Sequence, residues 1–300
     1  MAKIKLAIDL SGIHRLRARP DFQQNATRAL ARRLYYRMRW VATEKPWRLK
    51  LGEDLEVLAP KGGAGALIYY MGYSEPETAA FIRNFLKPGM VFWDVGAHIG
   101  EYSLLAARQV GREGKVEAME PQPAIRHFLK TNVELNGFHN IRVHGYAASA
   151  QRGEATLVLS EELSMAHLTN GSNSNRGAGS RPASKEVRVP TISLDAFLNF
   201  TSAVPHLVKV DVEGAEKLVL SGANSLLSIK DESAPVWVME YSPSNCSANG
   251  YSAASLLETF TAKGYRLYTL QPDGRLLPLS SPILSQKSGN FVASRGDLIA

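Results

Sequence analysis

The sequence predicts an α/β fold: a mostly parallel sheet with an antiparallel last strand, preceded by a basic helix and a β-hairpin. Three observations predict it. Strand-length apolar runs alternate with helix-period stretches from about residue 91 to about residue 263, the order of a parallel sheet with crossover helices. VFWDV at 91–95 passes directly into the glycine-punctuated GAHIG at 96–100, as a buried strand passes into a tight turn. KVEAM at 115–119 then runs into Glu120, so strand, turn, helix and a second strand tipped by a carboxylate follow in the order that builds a nucleoside pocket in an open sheet.

The elements follow in order along the 300 residues. Ala26, Leu30, Leu34 and Met38 recur at helical spacing among Arg28, Arg32, Arg33, Arg37 and Arg39, a basic amphipathic helix expected to dock its apolar stripe and leave the arginines in water. LKLGEDLEVLAP and GALIYYMG, separated by Gly62-Gly63-Ala64-Gly65, read as the two arms of the hairpin. A helix over 75–86 has Ser74 as N-cap and Pro76 in its first turn, and Lys87-Pro88-Gly89 ends it. Helices over 102–110 and 124–136 then alternate with strands over 115–119 and 141–146. Shorter strands over 154–160 and 185–190 flank a Gly/Ser/Asn-rich insertion at about 169–184, which has too little apolar surface to pack and reads as mobile, either a lid or a solvated loop. Strand 206–212, helix 215–227, strand 235–240 and helix 253–263 continue the alternation, and 265–270 and 290–293 supply the last strands around a turn at Pro272-Asp273-Gly274. The expected organisation is a helical extension over 1–49 and one larger domain over 50–300.

Composition narrows the function classes. The formal net charge is +7, but thirteen Lys/Arg against three Asp/Glu place +10 in the first 50 residues and leave the rest about −3. An anionic membrane surface, a polyanionic substrate and a partner's groove all suit such a helix; nucleic acid does not, because no recognition motif accompanies the charge. The single Cys246 excludes an intramolecular disulfide and a cysteine-based zinc cluster. MAKIKLAIDLSGIHR has charges inside its apolar part, unlike a secretory leader, and no run is long enough to span a bilayer, so a cytoplasmic location is expected.

The candidate site residues cluster on the strand ends. In the turn, D-x-G-x-x-x-G puts His98 where a dinucleotide fingerprint wants a glycine, which disfavours pyrophosphate and leaves the following helix N-terminus for a smaller anion such as a methionyl carboxylate. Glu120 stands where a carboxylate accepts both ribose hydroxyls, so the cofactor expected is S-adenosyl-L-methionine. LVKVDVEGAE at 207–216 puts Lys209, Asp211 and Glu213 along one strand with Asp211 near its carboxyl end. Charges buried there are costly unless paired, so Asp211 and Glu213 are candidate bases or substrate anchors, Glu240 on the next strand is a reserve, and His98 is a rival base. A Lys209 ion pair with Glu213 and Glu216 capping a helix is the structural alternative. One pair of carboxylates, Asp211 and Glu240, is too little to assign a metal.

DVGAHIG, EAMEP, KVDVEGAEKLVLSGA, VMEY and GYRLYTL together resemble the FkbM family of S-adenosylmethionine-dependent methyltransferases, over roughly residues 50 to 295. The resemblance implies a Rossmann-like methyltransferase sheet of seven strands with a reversed last strand, and O-methylation of a hydroxyl on a small molecule or glycan. It implies that Asp94, Gly96, His98 and Gly100 surround the methionyl part, Glu120 the ribose, and Ala147 and Ala148 the adenine. A non-catalytic nucleoside-binding adaptor at a membrane or partner surface is the alternative.

Overall fold

The computed structural model describes residues 20–159, 166–169, 185–279 and 288–298. In chain order, α1 (Pro20–Gln24) and α2 (Ala26–Ala42) precede a hairpin of β1 (Trp47–Leu51) and β2 (Leu55–Ala59), then α3 (Gly63–Met71) and α4 (Pro76–Phe85). The main alternation is β3 (Val91–Val95), α5 (Glu101–Val110), β4 (Lys115–Met119), α6 (Pro123–Leu135) and β5 (Ile141–His144). Four short strands follow, β6 (Ala147–Ala148), β7 (Gly153–Leu159), β8 (Ala166–Thr169) and β9 (Lys185–Ile192). After them come α7 (Leu194–Thr201), β10 (Leu207–Val210), α8 (Glu216–Ser221), α9 (Asn224–Ser228), β11 (Val236–Tyr241), α10 (Pro243–Ala248), α11 (Ala253–Thr261), β12 (Arg266–Leu270), β13 (Leu276–Pro278) and β14 (Gly289–Ser294).

The central sheet has the order β13-β12-β14-β11-β10-β3-β4-β5. β11, β10, β3, β4 and β5 are mutually parallel, and β14 is antiparallel to both its neighbours. β3 therefore lies between β4 and β10, the point where the winding reverses and where open sheets leave a crevice at their carboxyl ends. Side-chain alternation divides the core in two. Phe92, Val116, Ala118, Leu207, Val238 and Val292 pack on one face of the sheet, and Trp93, Val95, Met119, Val208, Val210, Trp237, Met239 and Phe291 on the other. Burial at these positions contributes about 1.5–3 kcal/mol for each large side chain, enough to hold one register against its neighbours.

The expected fold class holds, with local corrections. The sheet has eight strands rather than seven, because the turn at Pro272-Asp273-Gly274, with Gly274 at φ +79°, folds β13 back onto β12. The hairpin closes earlier than expected, at Gly52 (φ +62°), with Leu51 paired to Leu55. Its expected second arm is instead helix α3, since a short apolar run does not by periodicity alone distinguish strand from helix. The helix expected over 215–227 breaks into α8 and α9 at Gly222, where a Cβ would fall 2.2 Å from the Ser149 carbonyl oxygen. Ser74 does not cap α4, whose N-cap is Glu75. β6, β9, β7 and β8 form a separate small sheet in that order. Of the Gly/Ser/Asn insertion, only Thr169 lies within the described residues.

Helix α2 docks the opposite way to expectation. Asn25 caps it by accepting the Arg28 N–H at 2.9 Å. Its buried side chains are Ala29, Tyr36 and Trp40, and the Tyr36 ring lies 5.6–5.8 Å from those of Trp47, Tyr69 and Tyr70. The arginines join this interface: Arg33 pairs with Asp21 at 2.6 Å and stacks on Tyr70, Arg32 stacks on Tyr69 and donates to its carbonyl, and Arg39 lies over Trp40. The predicted stripe of Ala26, Leu30, Leu34 and Met38 faces outward.

Candidate active site

The carboxyl ends of β3, β4, β10 and β11 open on a cavity of about 400 Å³. Gly96, His98, Glu120, Ala147, Ala148, Asp211, Glu213 and Glu240 line it together. Asp94 and Gly100 are not among the lining residues, because they are spent on building the turn. Asp94 is buried beneath it, accepting the Ser103 hydroxyl at 2.5 Å, and Gly100 packs where a Cβ would fall 2.5 Å from Leu129.

The turn is shaped by the chain's own backbone. Gly96 has φ +83°, and a Cβ there would lie 1.8 Å from the Asp211 carbonyl oxygen, so only glycine lets the loops after β3 and β10 touch. The N–H groups of Gly96 and Ala97 both donate to the Met119 carbonyl, at 3.0 and 2.9 Å, locking the turn to β4. His98 follows in the left-handed region at φ +50°. Its backbone N–H donates to Glu120 Oε2 at 2.9 Å, while its ring Nε2 is buried without a partner. Burial pushes the imidazole down to about 4, so it is neutral at physiological pH.

Glu120 is held from two sides, since its Oε1 also accepts the Gln122 N–H at 2.8 Å. Burial pushes its carboxyl up to about 7. Gln122 is itself buried and lines the cavity, and its side-chain Nε2 has no protein partner. Sequence reasoning missed Gln122, although its place two residues after Glu120 was a usable signal.

On the other side of the crevice β10 ends at Val210, two residues short of the expected strand, so Asp211 and Glu213 stand in the loop. Lys209 is fully enclosed, donates to Asp211 Oδ2 at 2.9 Å and lies 4.7 Å from the centre of the Tyr102 ring. Burial alone would lower the Lys209 ammonium, but Asp211, Glu75 and Asp94 outweigh it and hold it charged. Glu213 is a non-glycine residue at φ +53°, a strained conformation of the kind found at functional sites. Burial first, and then Asp211 and Glu216, push its carboxyl up to about 7. Glu216 shapes this loop, accepting the Gly214 N–H at 3.0 Å and the Tyr251 hydroxyl at 2.9 Å. The Lys209 pair of the structural alternative thus exists, but neither Glu213 nor Glu216 caps α8, whose N-cap Ala215 has no side-chain hydrogen bond, and Glu213 stands on the cavity wall. Glu240 has one carboxyl oxygen buried and unpartnered, and burial followed by Asp211 raises it above the ordinary range.

Two further carboxylates were not legible because distant chain segments bring them in. Glu75, just before α4, accepts from the Tyr102 hydroxyl at 3.1 Å and from Asn290 Nδ2 at 2.6 Å. Glu101 begins α5, where the sequence reading placed a small anion; it accepts the Ser74 N–H at 2.5 Å and hydroxyl at 2.7 Å, and burial pushes it up to about 7. The cavity wall thus carries six carboxyl groups, of Glu75, Glu101, Glu120, Asp211, Glu213 and Glu240, against one lysine. Among the described residues no cluster of three or more His, Cys, Asp or Glu is placed to hold a metal ion.

Reversed winding at β3, an antiparallel β14 and a carboxylate at the tip of β4 define a Rossmann-like α/β domain with a nucleoside-type crevice. Residues 94–267, more than half of the chain, match the methyltransferase FkbM domain family, and the chain belongs to that family. No curated protein matches the sequence. Among solved structures, precorrin-6y C5,15-methyltransferase from Geobacter metallireducens is similar at 14% identity and TM-score 0.40, over 75% of this chain and 88% of that one. Fibrillarin from Aeropyrum pernix, solved with S-adenosyl-L-methionine, is similar at 11% identity and TM-score 0.41, over 74% and 77%. A SAM-dependent O-methyltransferase from Thermotoga maritima is similar at 13% identity and TM-score 0.38, over 83% and 85%. Likenesses this distant bear on neither reaction nor acceptor.

Proposed function

We propose that this chain transfers a methyl group from S-adenosyl-L-methionine to a hydroxyl oxygen of a small molecule or glycan. The observation that carries the reading is the placement of Glu120 and Glu213 on one cavity, the first fixed by two backbone N–H groups and the second strained and held near neutrality. The residues fit the cofactor. Glu120 keeps lone pairs free for ribose hydroxyls, the orphaned amide nitrogen of Gln122 offers a donor beside them, and the excess of carboxylates over Lys209 suits a sulfonium cation. Glu101, neutral below about pH 7, lessens like-charge conflict with a methionyl carboxylate at the start of α5.

The bound cofactor supplies an electrophilic methyl carbon on a sulfonium. Glu120 and Gln122 would hold the cofactor, its methyl would be the group transferred to the acceptor oxygen, and Glu213 is the proposed general base that takes the acceptor hydroxyl's proton. Asp211, fixed by Lys209, anchors the acceptor, and Glu240 in its protonated form donates a hydrogen bond to it. His98, neutral and in contact with Glu120 through its backbone, belongs to the cofactor side. Holding the reactants in line supplies several kcal/mol of the barrier, and a positioned base adds about 10²- to 10⁴-fold.

The test is turnover with labelled S-adenosyl-L-methionine against a panel of sugar and small-molecule hydroxyls. Glu213→Gln is expected to lower kcat by about 10²-fold or more and to remove a rise in rate through pH 7, with cofactor binding retained. Unchanged turnover in that variant contradicts the base assignment. Cofactor binding without turnover on any acceptor would favour the adaptor reading.

A further inference from the structure

The second face of α2 has no role in the reading above. Leu30, Leu34, Met38 and Val41 recur at intervals of four, four and three residues and are 54%, 61%, 61% and 89% exposed, while Tyr35, 56% exposed, stands on the flank with its ring 6.0 Å from that of Trp47. Five of the seven exposed large apolar side chains among the described residues therefore sit on this one helix. The concentration is directional, because the docked face is already satisfied by Ala29, Tyr36, Trp40 and the stacked arginines. Arg37 falls on the outward stripe, one turn from Leu34 and from Val41, and Arg28 is exposed at its start. The helix, ATRALARRLYYRMRWVA, carries five arginines and no carboxylate.

We propose that this face of α2 seats the protein on the surface of an anionic lipid bilayer. The apolar stripe enters the acyl boundary, and Arg37 and Arg28 meet the headgroups, Arg37 by extending its stem along the stripe. Charge decides between occupants. A second copy would oppose cationic helix to cationic helix with no acid on either, whereas an anionic lipid surface supplies the counter-charge for the exposed Arg28 and Arg37. No helix among the described residues is long and apolar enough to cross a membrane, so the attachment is peripheral. It also has a bearing on the cavity. Tyr36 donates to the Gly62 carbonyl at 3.1 Å, and the next residues, Gly63, Ala64 and Leu67 of α3, line the cavity wall.

The experiment is co-sedimentation of the full chain with phosphatidylcholine vesicles, with and without phosphatidylglycerol. The full chain is expected to bind the phosphatidylglycerol vesicles and to release as salt rises. Leu34→Ser/Met38→Ser is expected to weaken binding about tenfold or more, and Arg37→Gln several-fold with a shallower salt dependence. Both variants alter exposed side chains, so circular dichroism and S-adenosylhomocysteine binding should match the parent, which keeps this result separate from the reading of the cavity. Absence of vesicle binding by the folded full chain overturns the proposal. So does a concentration-dependent dimer in sedimentation velocity that the same double variant dissolves, since the face would then belong to a second copy.

Discussion

At the scale of single residues, the site rests on a few atoms with no freedom to move. Gly96→Ala would put a methyl group into the Asp211 carbonyl at a positive φ; it is expected to cost at least about 2–3 kcal/mol in urea unfolding and to abolish cofactor binding. Gln122→Leu roughly conserves size and removes the side-chain amide with its orphaned donor, so titration should show affinity for S-adenosylhomocysteine about tenfold weaker with unchanged melting. Equal affinity would mean that the amide faces no ligand. The sequence made the charged members legible because carboxylates at strand ends are conspicuous against apolar strands. It hid a further demand on Gly96, contact with a loop over one hundred residues away. It also hid Glu75, whose partners Tyr102 and Asn290 come from other elements.

At the scale of elements, helix α6 shows how the hairpin is fastened to the sheet. Asn132 and Asn136, one turn apart, present side-chain amides to the backbone of β2: Asn132 pairs with Leu58 at 2.6 and 3.2 Å and Asn136 with Glu56 at 3.0 and 2.7 Å. Asn132 is fully buried and also donates to the Ile99 carbonyl at 2.9 Å, so it ties the hairpin to the turn that shapes the cavity. Asn132→Ala strands these buried groups and is expected to cost about 2–4 kcal/mol, measured as the change in urea midpoint at constant slope. A loss under about 0.5 kcal/mol would show that the amide ladder is dispensable. The parallel strands were readable because their doubly buried runs carry a period-two core pattern bounded by glycine. The docked face of α2 and the helix α3 were not. Leu30, Leu34 and Met38 form the better apolar stripe by spacing alone, yet aromatic stacking with Trp47, Tyr69 and Tyr70 turned Tyr36 and Trp40 inward instead.

For the whole molecule, the crevice gathers several buried carboxyl groups, and this sets its response to pH. Glu101, Glu120 and Glu213 are each pushed from the ordinary carboxyl range up to about 7, chiefly by burial. The folded state thus holds protons that the unfolded chain releases. Their contribution to stability is complete below about pH 4.5 and is lost as pH rises through about 7. The ligand-free protein should therefore lose melting temperature between about pH 5 and pH 8, and Glu101→Gln should flatten that slope. A slope identical in the variant would contradict the role of Glu101. The doubly wound architecture was legible from the order of its elements, whereas the bearing of α2 was not, because outward apolar side chains are decided by which surface the rest of the domain offers. The central claim is that the crevice above β3 and β4 is a nucleoside site, and isothermal titration of the full chain with S-adenosylhomocysteine tests it most directly. The account predicts one-site binding that Glu120→Ala weakens at least about tenfold while the circular dichroism spectrum is unchanged. No heat of binding from the folded protein, or equal affinity in Glu120→Ala, would contradict it.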